Sequence, residues 1–169
     1  PHEVFSSCAG AAIYRKSVFD EIGLFDESFF AYLEDMDIGY RARLAGYRNL
    51  YNPYAKVYHL GSASSGSRHN AFKVELSARN SMYMLRKNMP AWQMVLNVPF
   101  IAAGIIIKTV YFARKGLVTA YLKGIVKGLS GKLRNTSKNA GEKHKDTGFA
   151  TYLGLQMWLF RGMIKRVKK

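Results

Sequence analysis

Three carboxylates, Glu34, Asp35 and Asp37, stand within four positions where a helix is predicted to begin. Free N–H groups and the macrodipole at a helix N-terminus favour negative charge, so a capping role is one interpretation. Large apolar neighbours favour a second one, because burial raises the pKa of a carboxylate toward the range useful for a general base. These neighbours are Phe29, Phe30, Tyr32 and Leu33. The cluster is therefore a candidate for acid–base chemistry as well as for capping.

His59 is the second candidate, because it ends a predicted strand just before a loop of small residues at 61–66. Such a histidine is well placed to bind a metal ion or to carry a proton. A half-buried, hydrogen-bonded histidine without a chemical role is the alternative. Arg79 and Asn80 are further polar candidates, and a solvated helix face would equally account for them.

The elements that must position these side chains follow from local patterns. Apolar residues at helical spacing predict helices at residues 18–22, 32–44 and 71–88. Alternating side chains predict short strands at residues 47–51 and 55–59, on either side of an Asn-Pro turn.

Particular residues mark the ends of the first two helices. Ser17 is a favourable N-cap for the first helix, and Gly23 is its predicted stop. Gly46 takes the position just after the second helix, where a left-handed residue commonly closes the last turn. The acidic cluster is thus predicted to lie within or just ahead of the first turn of the second helix.

The positive charge of the chain is concentrated in its last third. The 169 residues carry a formal net charge of +15. Residues 1–107 hold 11 Lys and Arg against 9 Asp and Glu, whereas residues 108–169 hold 15 against 2. A near-neutral globular part followed by a cationic one predicts an anionic partner, either lipid headgroups or nucleic acid.

A change of character after Pro90 predicts a boundary there. Residues 92–112 are mostly apolar, but the uninterrupted run covers only residues 98–107, while a full membrane span needs about 20 residues. A polar stripe along the same helix comprises Gln93, Asn97, Gly104, Lys108 and Lys115. This pattern favours helices that lie on a membrane surface, with a single transmembrane span as the alternative.

Four segments are predicted on these grounds. Residues 1–90 form the part with the candidate site, and residues 91–129 form apolar and amphipathic, membrane-associated helices. Residues 130–148 form a basic linker, and residues 149–169 form a cationic amphipathic helix at the end.

Four short motifs follow one another over roughly half of the chain. They are Gly10-Ala11-Ala12-Ile13-Tyr14-Arg15-Lys16, then Glu21-Ile22-Gly23-Leu24-Phe25-Asp26-Glu27, then Tyr32-Leu33-Glu34-Asp35-Met36-Asp37-Ile38 with Arg41 and Ala45-Gly46-Tyr47, then Val57-Tyr58-His59. In order and spacing they resemble glycosyltransferase family 2, most closely its rhamnosyltransferase-like branch. The resemblance implies the C-terminal half of a GT-A fold, a Rossmann-like α/β nucleotide-sugar transferase domain, followed by amphipathic, membrane-associated helices.

The resemblance also implies roles for the candidate residues. Asp35 matches the general base of the family, Glu34 a carboxylate that orients the base or the acceptor, and Asp37 a secondary group. Arg79 and Asn80 match an Arg-Asn pair near the acceptor or the diphosphate. The acidic cluster and this pair would then share one site.

His59 matches the metal-coordinating histidine of the family, which completes a site begun by an Asp-x-Asp motif in the N-terminal half. No such motif after a strand precedes Gly10, so we expect that half to be missing here and the chain by itself to be inactive. Carboxylates with one imidazole suit Mn²⁺ or Mg²⁺ better than a thiolate-seeking ion. A divalent cation is therefore the expected cofactor.

These implications predict an inverting glycosyltransferase of cell-surface polysaccharide synthesis. It would transfer a sugar from a nucleotide-sugar donor to a hydroxyl of a glycan or polyprenyl-linked acceptor. Such transfer requires a base that takes the hydroxyl proton and a cation that neutralises the leaving diphosphate. We expect a peripheral or single-pass protein at the cytoplasmic face of the cell membrane, in contact with the anionic membrane surface.

A non-enzymatic cationic protein that binds membranes or nucleic acid is the alternative. The basic residues alternate with long aliphatic ones, and the sequence contains no recognised nucleic-acid motif, so we expect no nucleic-acid partner. A glycoside hydrolase is disfavoured because its two carboxylates flank the bond from opposite faces and seldom stand adjacent in sequence. The single cysteine, Cys8, excludes a scaffold built on internal disulfides.

Overall fold

Helices dominate the structure, a computed structural model that describes residues 1–58, 70–131 and 148–167. They are α1 (Lys16–Ile22), α2 (Glu34–Leu44), α3 (Ala71–Asn88), α4 (Ala91–Ala113), α5 (Val118–Ser130) and α6 (Phe149–Val167). Two one-turn 3-10 helices, Ala9–Ala11 and Glu27–Phe29, stand in the loops before α1 and α2. The predicted basic linker at residues 130–148 lies almost entirely outside the described residues.

Two short strands form within the described ranges. β1 (His2–Val4) pairs antiparallel with β2 (Asn49–Tyr51). The register places His2 opposite Tyr51, Glu3 opposite Leu50 and Val4 opposite Asn49. The predicted strand at 47–51 is thus confirmed for its last three residues only. Residues 55–58 form no strand, and His59 lies outside the described residues.

The glycines at the helix ends behave as predicted, whereas the predicted N-cap does not. Gly23 and Gly46 follow α1 and α2 with φ of +80° and +86°, which confirms both as helix stops. Ser17 is not the N-cap of α1: the helix begins at Lys16 after Arg15, so Ser17 lies in the first turn. The prediction at Ser17 was wrong because local preference alone set that boundary.

The two longer predicted helices of the first half of the chain are found. α3 spans residues 71–88 as predicted, and the side chain of Asn70 caps it by accepting from the Lys73 N–H at 2.9 Å. α2 begins at Glu34 rather than at residue 32, because Tyr32 and Leu33 have φ of +68° and +71°. Those values lie outside the right-handed helical region. The acids therefore follow a left-handed turn.

The described chain divides into two compact units. The first comprises Pro1–Phe25, Asp35–Asn52 and α6; the second comprises Asp26–Glu34 and the described part of Pro53–Arg134. The predicted boundary after Pro90 does not coincide with this division, because α3, α4 and α5 belong to one unit.

In the first unit, α1 packs against α2 around a small core. Its buried side chains are Val18, Ile22, Ile38 and Ala42. Arg43 of α2 donates to the Phe5 carbonyl at 3.1 Å and pairs with Glu3 at 3.0 Å. Its guanidinium carbon lies 4.0 Å from the ring centroid of Trp158, so α6 docks onto this unit through a cation–π contact.

In the second unit, α3 and α5 run side by side in the same direction. Gly124 faces Glu75 and Ala78, and Gly128 faces Arg79 and Met82. A Cβ at either glycine would overlap the backbone of α3, so the close approach of the two helices requires both glycines. The core between the helices comprises Val74, Ala78, Met82, Tyr121 and Ile125, and α4 packs on it through Ile101, Ile105 and Phe112.

The GT-A fold inferred from the resemblance stays a prediction. The described residues contain only the two-stranded pair β1–β2, and helices occupy most of the remainder. A Rossmann-like sandwich requires a larger parallel sheet, to which other parts of a longer protein would contribute.

Candidate functional site

The loop that leads to the acidic cluster has an unusual backbone. Phe30, Tyr32 and Leu33 have φ of +62°, +68° and +71°, although none is glycine. Each such residue costs on the order of 1–3 kcal/mol and persists only where surrounding contacts hold it. Strain of this kind directly before Glu34 points to a position that tertiary contacts impose.

Asn80 of α3 supplies those contacts. Its side chain is fully buried, with 0% exposure, and its Nδ2 donates to three carbonyl oxygens of the loop. The acceptors are Phe29 at 2.9 Å, Ala31 at 2.7 Å and Tyr32 at 2.8 Å. One amide group has only two N–H bonds, so three acceptors share them. A solvated helix face, one interpretation of Asn80, is thereby excluded.

Arg79 fixes the orientation of that amide. Its Nη1 donates to the Asn80 Oδ1 at 2.8 Å and to the Ser28 carbonyl at 2.9 Å. Because Oδ1 accepts from the guanidinium, the amide nitrogen must face the loop. The Arg-Asn pair predicted to serve the site thus holds the loop that carries Glu34, and its predicted contact with the acceptor or the diphosphate stays a prediction.

A second anchor holds the start of the same loop. Asp26 is buried and accepts from the Lys87 Nζ at 2.7 Å, the Tyr83 hydroxyl at 3.2 Å and the Ser28 N–H at 2.9 Å. The sequence analysis placed Asp26 in a motif but gave it no role. Lys87 lies seven residues after Asn80, two helical turns along α3, so both side chains are on the same face of the helix. This spacing is the only sign in the sequence that Lys87 faces the same loop as Asn80.

Glu34 ends this loop in the second unit. Its carboxylate oxygen Oε2 is buried and has no hydrogen-bond partner among the described residues. An unpaired buried oxygen costs free energy unless a ligand supplies a donor. Glu34 is therefore equipped to accept a hydrogen bond from a hydroxyl group.

Asp35 lies in the first unit, where both carboxylate oxygens accept backbone N–H groups. Oδ1 accepts from Met36 at 2.8 Å and Oδ2 from Ala9 at 3.2 Å. These bonds orient the carboxylate and leave further lone pairs on each oxygen for a substrate hydroxyl. Helix capping and an acid–base role are thus compatible at Asp35.

Tyr14 is a neighbour of Asp35 that the sequence analysis quoted only within a motif. Its hydroxyl is buried and has no hydrogen-bond partner within the described ranges. Burial, followed by the negative charges of Asp35 and Cys8, raises the pKa of Tyr14. The phenol therefore stays protonated near neutral pH and can donate a hydrogen bond.

Asp37 is fully buried, at 0% exposure, and pairs with Arg41 one helical turn later. Its Oδ2 accepts from the Arg41 Nε at 2.9 Å and Nη2 at 2.8 Å. Arg41 in turn donates to the carbonyls of Ile22, Gly23 and Leu24, where α1 ends. The contacts of Asp37 hold the packing of α1 on α2, and no contact with a substrate follows from them.

The metal site implied by the resemblance cannot be assembled from the described residues. His59 lies outside them, and among the described side chains no group of three His, Cys, Asp or Glu could hold a metal ion. Glu34 offers one oxygen without a donor, which suits a hydroxyl or a cation equally well. His59 and the divalent cation stay predictions.

Comparisons with known proteins give partial matches. Over 54 residues the chain is 43% identical to N-acetylglucosaminyl-diphospho-decaprenol L-rhamnosyltransferase of Mycobacterium tuberculosis, in strains CDC 1551 / Oshkosh and ATCC 25618 / H37Rv. The match covers 32% of this chain and 18% of that protein. The uncharacterized protein y4gI of Sinorhizobium fredii is 32% identical over 80 residues, which cover 47% of this chain and 9% of that protein.

The chain thus spans less than a fifth of the curated relatives that it matches. No family model matches it, and no solved structure gives a significant match. The similarity to a rhamnosyltransferase is thus confined to part of each protein.

Proposed function

We propose that this chain forms part of an inverting glycosyltransferase of family 2 that acts in cell-surface polysaccharide synthesis. The partial similarity to a rhamnosyltransferase carries the proposal. The donor is a nucleotide sugar, and the acceptor is a hydroxyl of a glycan on a polyprenyl diphosphate. The buried, unpaired oxygen of Glu34 and the oriented carboxylate of Asp35 support it, because a transferase of this class needs carboxylates that receive a hydroxyl group.

In this proposal Asp35 is the general base. Two backbone N–H groups fix its orientation, so the carboxylate loses little freedom when the acceptor hydroxyl arrives. Asp35 takes the hydroxyl proton as the oxygen attacks the anomeric carbon in line, and the nucleoside diphosphate leaves from the opposite face. Glu34 accepts a hydrogen bond from the acceptor sugar and orients it. A bound Mn²⁺ or Mg²⁺, for which His59 is the proposed ligand, would neutralise charge on the leaving group.

We propose a peripheral position at the cytoplasmic face of the membrane. α4 is 23 residues long and contains an 18-residue stretch with a mean hydropathy of 1.8, of which 6% is buried. Its inner side packs through Ile101, Ile105 and Phe112 on the core between α3 and α5. α3 carries five charged residues, each costly within a bilayer, at about 2.5–3.5 kcal/mol.

A transmembrane α4 would draw α3 and α5 into the hydrocarbon or lose its packing. An α4 that lies in the interface keeps both the packing and the exposed apolar side in lipid. The basic residues after α4 would then meet anionic headgroups, at about 1 kcal/mol each.

A direct transfer assay tests the proposed function. The protein, expressed from its complete reading frame, is incubated with nucleoside-diphosphate L-rhamnose and a polyprenyl diphosphate that carries N-acetylglucosamine. Mass spectrometry detects the disaccharide lipid. We expect transfer that Asp35→Asn slows by about 10²–10⁴ and that Asp20→Asn, the same change at an exposed position of α1, leaves intact. Product formation at equal rates by wild type and Asp35→Asn would contradict the proposed role.

A further inference from the structure

The second unit contains a cavity of about 370 Å³ to which no role has been assigned. Its walls are the first half of α3, the end of α4 and the start of α5, together with Tyr32 of the loop. The volume lies near the lower end of the range of about 300–1,000 Å³ that small-molecule sites occupy. The cavity can therefore hold part of a larger ligand.

The lining combines aromatic rings with two cations. Tyr111, Phe112 and Tyr121 form much of the apolar wall, and Lys73 and Lys108 reach it from α3 and α4. Lys73 is only 8% exposed, whereas Lys108 is exposed. Burial also raises the pKa of the Tyr121 phenol, which is consistent with low polarity there.

This combination of aromatic rings and lysines favours one class of ligand over others. A free phosphate ion gains nothing from aromatic walls, and a neutral lipid gains nothing from the two lysines. An anion attached to an apolar chain satisfies both parts, since its charge pairs with the lysines and its chain contacts the rings. α4, one wall of the cavity, also has an exposed apolar side that includes Ile106, Ile107 and Val110.

The cavity adjoins the candidate site through Tyr32. This residue lines the cavity, its carbonyl accepts from Asn80, and it precedes Glu34 by two positions. A diphosphate held in the cavity would place an attached sugar next to the loop that ends at Glu34. We propose that the cavity binds the diphosphate and the first isoprene units of a polyprenyl-linked acceptor, with Lys73 and Lys108 on the phosphates. The identity of this lipid as a substrate rests on the proposed function.

The proposal can be tested by calorimetry, which measures the binding of farnesyl diphosphate to the full chain in a neutral detergent. Lys108→Glu should weaken binding by about tenfold or more, because a charge-assisted contact becomes a repulsive one. Arg114→Glu, the same change at an exposed position six residues later that does not line the cavity, should weaken it by less than about twofold. Equal losses in both variants would overturn the proposal, since they would indicate general charge attraction.

Three further ligands and one further variant sharpen the test. Farnesol and inorganic pyrophosphate should each bind at least about tenfold more weakly than farnesyl diphosphate, because each lacks one half of the recognised chemistry. Short-chain phosphatidylglycerol at equal affinity would identify a bilayer phospholipid as the occupant and overturn the proposal. Ser77→Phe, which fills the cavity from α3, should abolish binding while the circular dichroism spectrum stays native; unchanged affinity in that folded variant would also overturn it.

The binding assay is independent of transferase activity, so the two proposals fail separately. Farnesyl diphosphate binding that depends on Lys108, without any sugar transfer, would refute the proposed function and leave the cavity proposal intact. Sugar transfer by a protein whose affinity for farnesyl diphosphate is unchanged in Lys108→Glu would refute the cavity proposal and leave the proposed function intact.

Discussion

The side-chain nitrogen of Asn80 lies 2.8 Å from the carbonyl oxygen of Tyr32, a residue 48 positions earlier in the chain. Tyr32 is one of three left-handed residues in the loop before Glu34. This long-range hydrogen bond, rather than the local sequence, holds the backbone that presents the first carboxylate of the cluster. The stability of the loop and the activity of the site should therefore depend together on Asn80.

Asn80→Ala removes the side chain that donates to three carbonyls of the loop, and it should lower the free energy of unfolding by about 1–3 kcal/mol. It should also lower kcat more than it raises KM for the acceptor, because the loop is misplaced while the acceptor contacts persist. Urea unfolding and transfer kinetics measure the two effects. Leu33→Gly in the same background should restore part of the stability, since glycine removes the cost of a positive φ.

Asn97→Ala is a matched control for this loss of an amide. The Asn97 side chain donates to the Gln93 carbonyl within its own helix, away from the loop. An Asn80→Ala protein with native kinetics would show that the loop does not position the site.

Asp35→Asn should lower kcat by about 10²–10⁴, the usual contribution of general base catalysis, with little change in KM for the donor. Glu34→Gln should cost less, because it keeps an oxygen that accepts a hydrogen bond. Steady-state kinetics on both variants shows which of the two residues is the general base. A larger loss at Glu34 would exchange their roles.

The proximity of Tyr14 to Asp35 can be tested by titration. Burial and the Asp35 charge both raise the pKa of Tyr14, so Asp35→Asn should lower that pKa while burial keeps it above the ordinary value of about 10. NMR of ¹³C-labelled tyrosine, assigned with Tyr14→Phe, measures the shift. A raised tyrosine pKa contributes stability that is complete below the unfolded pKa, and the protein should lose this contribution as pH rises above about 10. If the pKa of Tyr14 is the same in Asp35→Asn as in the wild type, the two side chains are not close enough to interact.

Gly124→Ala and Gly104→Ala should change stability in opposite directions. A methyl group at Gly124 meets the Glu75 carbonyl and the Ala78 side chain, so the α3–α5 contact must open at a cost of about 1–3 kcal/mol. At Gly104 the same methyl group meets nothing within 4 Å, and helix propensity should stabilise α4 by about 0.5–1 kcal/mol. Denaturant unfolding in detergent compares the two. Equal effects would mean that α5 does not need close contact with α3.

Membrane binding should depend on charge and on the exposed side of α4 together. Binding to anionic vesicles should weaken as salt rises from about 0.05 to about 0.5 M, because the Debye length shrinks to a few ångströms. Replacing Ile106 and Ile107 by Ser should also weaken it, whereas the same change at Leu24 and Val57, equally exposed elsewhere, should not. Alkaline carbonate should release the protein from membranes. Retention in the pellet would mean that α4 spans the bilayer.

The sequence was most informative where structure is local. The bounds of α3 and the stops at Gly23 and Gly46 follow from periodicity and from glycine geometry, and the structure confirms them. The partner of β2 and the left-handed loop could not be predicted, because distant residues impose both. For the same reason the sequence analysis included Tyr14 and Asp26 in motifs but assigned neither of them a role.

The left-handed loop also constrains how this sequence can vary among relatives. A chain with glycine at position 32 or 33 needs less help to adopt the turn, so its counterpart of Asn80 is free to change. A chain that keeps bulky residues there must keep an amide on the facing helix and the arginine that orients it. Positions 32, 33, 79 and 80 should therefore change together. A set of diverse sequences can reveal such covariation before any of the proteins is purified.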